Sequence, residues 1–439
     1  MRWHAWPGNS VGLLVAVTAA GADFLGDEHW DAEFGVPGMS HQVRVLECTD
    51  SGLYAGGTFT NAGGLAAAAI AKWNGQQWVS LGGGIPQGSV EAIVREGLIV
   101  YAGGRFTTAG GLAATNIARW DGTTWWALGP GLKGITVRAL ATTSTYLYAA
   151  GQFLLAGEQP VNNIARWDGA SWWPLGEGLS VLEGAEFAAA FSLLVHGNDP
   201  YVGGRFHSAG GVAATNIARW DGTSWWPLGD GVNGQVHDLA FMGESLYACG
   251  QFLRAGGIQA ANIARWDGTN WHSLGAAFAS RFSLSLRTLA VSGTDLYVGG
   301  TFDEVSGVSA QGVARWDGLR WWGLGSGVLD ATALAATGSE IYAGSNFDTA
   351  GGKPSRNIAL WHIPRSLEVS RTGDQVRLSW PATGSNYVVE ATASLQEPVW
   401  EQLNQTPVPA GDRLTITEPL SPTQRLFRLR KPWPPGSGR

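Results

Sequence analysis

Seven residues of varied type recur at one place in a repeat: Arg44, Glu91, Arg138, Phe191, His237, Arg287 and Thr332. Each lies ten residues before a tyrosine (Tyr54, Tyr101, Tyr148, Tyr201, Tyr247, Tyr297 and Tyr342), and two places after each stands Leu or Ile. The aliphatic place reads as packing. The varied place is mostly charged, which suits ligand binding, and Glu91 with His237 makes a general acid/base combination. A rim of mutually compensating, solvated charges is the other reading of the same residues.

Two longer stretches, "GEGLSVLEGAEFAAAF" and "GAAFASRF", interrupt the repeat and place Glu183, Glu186, Phe187, Phe278, Arg281 and Phe282 beside that set. Insertions in a repeat often carry function, although surface loops also drift freely. The eight histidines are scattered without i, i+2 or i, i+4 pairing, so no metal site and no cofactor is expected. The repeated Asp (Asp121, Asp168, Asp221, Asp267, Asp317) reads as a turn residue, since Asn74 takes the same place without charge. The repeated Arg (Arg119, Arg166, Arg219, Arg265, Arg315, with Lys72) reads as a stem packed on Trp with its charge paired locally. The tandem tryptophans (Trp125/Trp126, Trp172/Trp173, Trp225/Trp226, Trp321/Trp322) either both pack or leave one ring exposed for stacking; packing of both is the expectation.

What must position these residues is a unit of 45–53 residues, present seven times by the tyrosine positions. The second unit reads "VEAIV", "LIVYAGGRF", the glycine-rich "TTAGGLAAT", "NIARW", the turn Asp121-Gly122, and "TTWWALG". Short alternating runs separated by turn signals predict four antiparallel strands. One such sheet buries neither face alone, so seven must stack around an axis, with Trp side chains in the wedge between sheets and glycine pairs near the axis. The expected fold is all-β: a seven-bladed β-propeller over residues 27–363. The varied set would then ring one mouth of the central channel.

The seventh unit ends at "NIALWHIPRS" without a fourth strand. The segment "HWDAEFGVPGMSHQV" aligns Trp30 with Trp225 and, after one inserted residue, Phe34 with Leu228 and Gly35 with Gly229. It is expected to complete the last blade. Residues 366–430 carry strands without the repeat and are expected to form a small β-sandwich, followed by a disordered tail over 431–439. At the other end, Arg2, the apolar run Val11 to Ala20 and the small-residue site Ala20-Gly21-Ala22 read as a secretory signal peptide over residues 1–22. Cys48 and Cys249 fall in different units and are expected to be free, buried thiols. With 64 Gly, 23 Trp and a net charge of −7, and no basic cluster, nucleic-acid binding is not expected.

The unit "LYxGGxFxxAGG…NIARWDGxxWxxLG" resembles the repeats of the kelch and galactose-oxidase central-domain group, over roughly residues 27–363. "LSWP…YVVE" resembles the early strands of a fibronectin type III-like domain. The resemblance implies propeller architecture and, because propellers host unrelated activities, no particular chemistry. The expected function is non-catalytic binding of an extracellular glycan or protein at the channel mouth, by a secreted or cell-surface protein without a membrane span. A polysaccharide-acting hydrolase or lyase on the same face is the alternative.

Overall fold

The computed structural model describes residues 2–4, 15–17, 26–181, 187–363, 367–381, 388–394, 399–410, 413–419, 421 and 425–430. They divide into two compact units, Trp30–Trp361 and a second made of Met1–His29 with His362–Arg439. Of the expected signal peptide, residues 2–4 and 15–17 are described, as strands; its other residues and the C-terminal tail lie outside the described residues. No described helix is long and apolar enough to cross a membrane.

In the first unit each repeat becomes one antiparallel sheet. The second repeat runs Gly88–Glu96, Ile99–Phe106, Ile117–Trp120 and Trp125–Ala127, hydrogen-bonded in that order. Asp121 closes the last turn: its Oδ1 accepts the N–H groups of Thr123 and Thr124 at 2.9 and 2.8 Å, and Gly122 supplies φ +100°. The glycine-rich stretch, read from sequence as a loop, contains a small ribbon, Thr108–Ala109 with Leu112–Ala113. Among the described residues seven such sheets follow one another. The seventh has three strands, Ala333–Ala336, Glu340–Gly344 and Ile358–His362.

The sheets stack through apolar clusters that draw on two neighbours at a time. One joins Tyr101 and Ile117 of the second sheet to Val137, Leu140 and Trp172 of the third. The glycine pairs allow this approach by size. A Cβ on Gly56 would lie 2.6 Å from Val90 of the next sheet, one on Gly103 2.6 Å from Val137, and one on Gly203 2.5 Å from Val236. The same relation joins the seventh sheet to the first, where a Cβ on Gly344 would lie 2.5 Å from Val43. Val43 also donates its N–H to Ser345 O at 3.0 Å and accepts from Thr332 Oγ1 at 3.0 Å.

The outer edge of the seventh sheet meets the N-terminal segment. Trp30 bridges antiparallel to Trp361, and Asp31 N donates to Leu360 O at 2.8 Å. Trp30 Nε1 donates to Leu324 O at 2.9 Å, as Trp225 Nε1 does to Leu175 O at 2.8 Å. Trp30 thus occupies the place of Trp225 in the fourth sheet. After Asp31 the chain departs from that plan, because Asp31 Oδ1 captures the N–H groups of Glu33 and Phe34, and it rejoins it at Gly38 and Met39, whose carbonyls accept from Gly63 N and Asn357 Nδ2 as those of Gly231 and Val232 accept from Gly256 N and Asn216 Nδ2.

The second unit has two sheets. One is ordered Glu368–Thr372, Gln375–Pro381, Arg413–Pro419, Val408–Ala410; the other contains Arg2–His4, Val15–Val17, Leu426–Arg430, Val388–Thr392 and Glu401–Gln402. Leu367, Leu378, Trp380, Val389, Ile416 and Phe427 make one core between them.

Candidate functional site

All seven varied residues line one cavity of about 710 Å³. Six of them stand near the start of the first strand of their sheet at a register shift that re-aims the chain, in the first sheet between Val43 and Val45, and Thr332 immediately precedes the strand Ala333–Ala336. The aliphatic residues two places on are buried, and six of them, Leu46, Ile93, Leu140, Leu193, Leu289 and Leu334, line the same cavity.

The polar crown is knit neighbour to neighbour. Arg44 Nη1 donates to Glu91 Oε1 at 2.7 Å, Ser89 Oγ donates to the same oxygen at 3.1 Å, and Arg138 Nη1 stands 3.9 Å from Glu91 Oε2. The Arg138 guanidinium lies over the Phe191 ring at 5.4 Å, and Phe191 meets His237 edge-on at 5.9 Å. His237 Nδ1 donates to Leu286 O at 2.7 Å, which fixes the tautomer of the neutral ring. Burial is the main cause that lowers its pKa, the neighbouring Arg287 and Arg138 adding to it. Arg287 faces Asp330 at 3.6 Å, and Thr332 is committed to the join between seventh and first sheets. Compensation and convergence therefore hold together: the charges are paired, and they surround one space.

Two further carboxyls line this cavity that sequence reasoning missed. Burial pushes Glu47 up to about 7. It pushes Asp238 up to about 6, against the opposing effect of the Leu289 and Leu239 N–H groups. Both occupy places that hold Val or Ala in most other units (Val94 and Ala141; Ala92 and Ala139), and that departure was the available signal.

The described loop residues do not join the cavity. Glu186 lies outside the described residues. Phe187 is exposed beneath the Arg205 guanidinium at 4.5 Å. Arg281 pairs with Asp303 at 3.0 Å, Phe282 is 71% exposed, and Phe278 packs on Phe302 and Trp321. None of these is among the residues around the cavity. Among the described residues no His/Cys/Asp/Glu group suited to a metal ion occurs, and both cysteines are free. Cys249 is buried, whereas Cys48, expected buried, is only partly so.

The expectation that both tandem tryptophans pack needs correction. The first of each pair is buried; the second, Trp126, Trp173 and Trp226, is 48–50% exposed. The turn aspartate pins it, since Trp126, Trp173 and Trp226 Nε1 donate to Oδ2 of Asp121, Asp168 and Asp221 at 2.7, 2.6 and 2.6 Å. Of the repeated cations, Arg219 and Arg315 pair with Asp199 and Asp295 and Arg119 lies over Trp126, whereas Arg166 and Lys72 lie over the tyrosine rings of Tyr146 and Tyr54.

No known family matches the chain, and no curated protein matches it. Among solved structures it is similar to an acylaminoacyl peptidase of Pyrococcus horikoshii, with 13% identity over 81% of this chain and 60% of that one, and a TM-score of 0.41. It is also similar to the β-propeller domain of the Trilobed protease from Pyrococcus furiosus, with 10% identity over 73% of this chain and 95% of that one, and a TM-score of 0.42. A third is YjhT, with 14% identity over 63% and 96%, and a TM-score of 0.37. The chain spans about 60% of the length of the P. horikoshii peptidase. It is an all-β protein, with a β-propeller domain among its neighbours in solved structures.

Proposed function

We propose that the chain is a secreted, kelch-like binding protein that takes a glycan or protein ligand at the channel mouth without transforming it. One observation carries the reading: seven residues that break an otherwise regular repeat converge on one cavity, three of them arginines. Glu91 holds Arg44 tightly and Arg138 loosely, so Arg138, backed by the Phe191 ring, offers its guanidinium to a ligand oxygen. The groups suited to acid/base work are engaged, Glu91 by Arg44 and Ser89 and His237 Nδ1 by a carbonyl. A hydrolase reading rests on Glu47, a carboxyl near 7 in the same cavity.

A glycan array together with a polysaccharide turnover panel tests the proposal. Binding without turnover is expected, weakened about tenfold by Arg138→Ala through loss of one charge-assisted contact. Turnover that disappears in Glu47→Gln would replace this reading with the hydrolase.

A further inference from the structure

The crown around the channel-mouth cavity is unevenly filled. In the seventh, first and second sheets its groups are taken. Arg44 Nη1 and Glu91 Oε1 hold each other at 2.7 Å, Ser89 Oγ donates to the same oxygen, and Thr332 Oγ1 donates to Val43 O. From the third sheet to the sixth the bonding is open. Arg138 and Arg287 meet Glu91 and Asp330 only at 3.9 and 3.6 Å, beyond hydrogen-bond reach. Neither makes a hydrogen bond to another described residue, and both are exposed.

Between these two arginines in the order of the sheets stand Phe191 and His237. Because His237 Nδ1 donates to Leu286 O, the neutral ring carries its lone pair on Nε2, and no hydrogen bond from a described residue reaches that atom. Burial first, and then Arg287 and Arg138, keep the imidazole neutral. The sector therefore holds two cationic donors about one neutral acceptor. The carboxyls of the lining leave these donors open. Glu91 is engaged by Arg44, the two Asp238 oxygens accept Leu239 N at 2.8 Å and Leu289 N at 2.7 Å, and Glu47, raised by burial to about 7, is mostly uncharged at pH 6. Asp330, the counter-ion of Arg287, lies outside the lining and accepts Thr301 Oγ1 at 2.9 Å on the oxygen that faces Arg287.

We infer that this sector takes a saccharide bearing a carboxylate beside a hydroxyl group, as a uronic acid does. The carboxylate accepts from Arg138 and Arg287, and the hydroxyl donates to His237 Nε2. The inference rests on the channel-mouth reading and narrows it from glycans in general to acidic ones. A neutral saccharide leaves both guanidiniums without an anionic partner. An acidic peptide satisfies the guanidiniums but brings no hydroxyl beside its carboxylate for the imidazole.

Calorimetric titration of the full chain at pH 6 with trigalacturonate, its methyl ester and tetraglutamate tests the inference. Trigalacturonate is expected to bind, and to weaken as salt rises. The ester, which keeps every hydroxyl and loses the charge, is expected to bind about tenfold more weakly or not at all. Arg138→Gln and Arg287→Gln, at exposed positions compatible with folding, are each expected to weaken trigalacturonate about tenfold. Arg281→Gln, outside the cavity, is expected to leave it unchanged. Absence of trigalacturonate binding, equal binding of the ester, equal binding of tetraglutamate, or two arginine variants that bind like the parent chain would each overturn the inference. The comparison with the ester needs no variant, so it decides even where a substitution disturbs folding. Each of these failures leaves channel-mouth binding standing. That reading fails instead on turnover, or on a glycan array in which no ligand responds to Arg138→Ala.

Discussion

Carboxyl groups of two kinds set how this molecule responds to pH, and they pull in opposite directions. Burial raises Glu47 to about 7 and Asp238 to about 6, from ordinary values of 4.5 and 3.8. The folded chain therefore keeps protons that the unfolded chain has released between these limits. Their stabilising share is complete below about pH 4 and is lost as the pH rises toward 7. The turn aspartates run the other way. Hydrogen bonds from the N–H of Thr124, then the Trp126 indole and the N–H of Thr123, hold Asp121 well below the usual range. Their share is present above that range and is lost as the pH falls through the lowered value. Glu47→Gln isolates one of these effects, because Glu47 faces burial alone. The variant is expected to exceed the parent chain in stability at pH 8 by roughly 2 kcal/mol, with the difference shrinking toward pH 4. Urea unfolding at pH 4, 6 and 8 measures it, and a difference constant with pH would remove burial as the cause.

At the scale of the element, four of the six fourth strands carry two indoles in succession, and the two do different work. Trp225 is buried with its N–H on Leu175 O, while Trp226 lies half in solvent with its N–H on Asp221. The turn was legible in Asp-Gly, and so was the strand alternation. The second task of the aspartate was not foreseen, although a trace of it was in the chain. Trp or His stands five residues after every turn Asp, whereas Asn74 is followed at that distance by Val79. The residue before "IARW" is a second element-scale feature that pattern alone hides. Ala69, Asn116, Asn163, Asn216, Asn262, Gly312 and Asn357 all take positive φ, between 58° and 74°. Asn216 then uses its side chain twice, accepting from Phe206 N at 3.0 Å and donating to Val232 O at 2.9 Å. Backbone handedness has no periodic signature in hydrophobicity, so it stayed invisible until the chain was folded. Of the three residue types found there, alanine suits the place least. Ala69→Gly is expected to stabilise the first sheet by about 1 kcal/mol, seen as a raised urea midpoint. Trp220→Ala, at 5% exposure, is expected to cost roughly 3–5 kcal/mol, and Trp226→Ala less than half as much. Equal costs would mean the exposed indole also packs.

For the whole molecule the question is how a stack of sheets ends. The repeat count and the recruitment of an N-terminal segment were legible, because tyrosine spacing and the Trp30 alignment are properties of sequence alone. The bend after Asp31 was not. It depends on one side chain capturing two amide N–H groups, and Trp78, the indole that faces this segment, has no Nε1 partner among the described residues. Trp30 is the residue through which the ends act on each other. It is 1% exposed, meets Trp361 edge-on at 5.2 Å, and reaches Leu324 of the sixth sheet. Lys353 Nζ also donates to its carbonyl. Removing it uncovers the outer edge of the seventh sheet, and an uncovered edge frays or pairs with another chain. Trp30→Ala is therefore expected to cost at least what Trp220→Ala costs, roughly 3–5 kcal/mol, or about 5 °C in Tm for a unit of this size. Deleting residues 27–36 removes the whole tie and is expected to lower Tm further, with faster amide exchange in Glu340–Gly344 and Val43–Thr49 before any other sheet loosens. Scanning calorimetry with exchange mass spectrometry separates the cases. An unchanged melting curve would show that the seventh sheet holds its edge without Trp30, and uniform loosening of all sheets would show that the ends contribute to overall stability without guarding one seam.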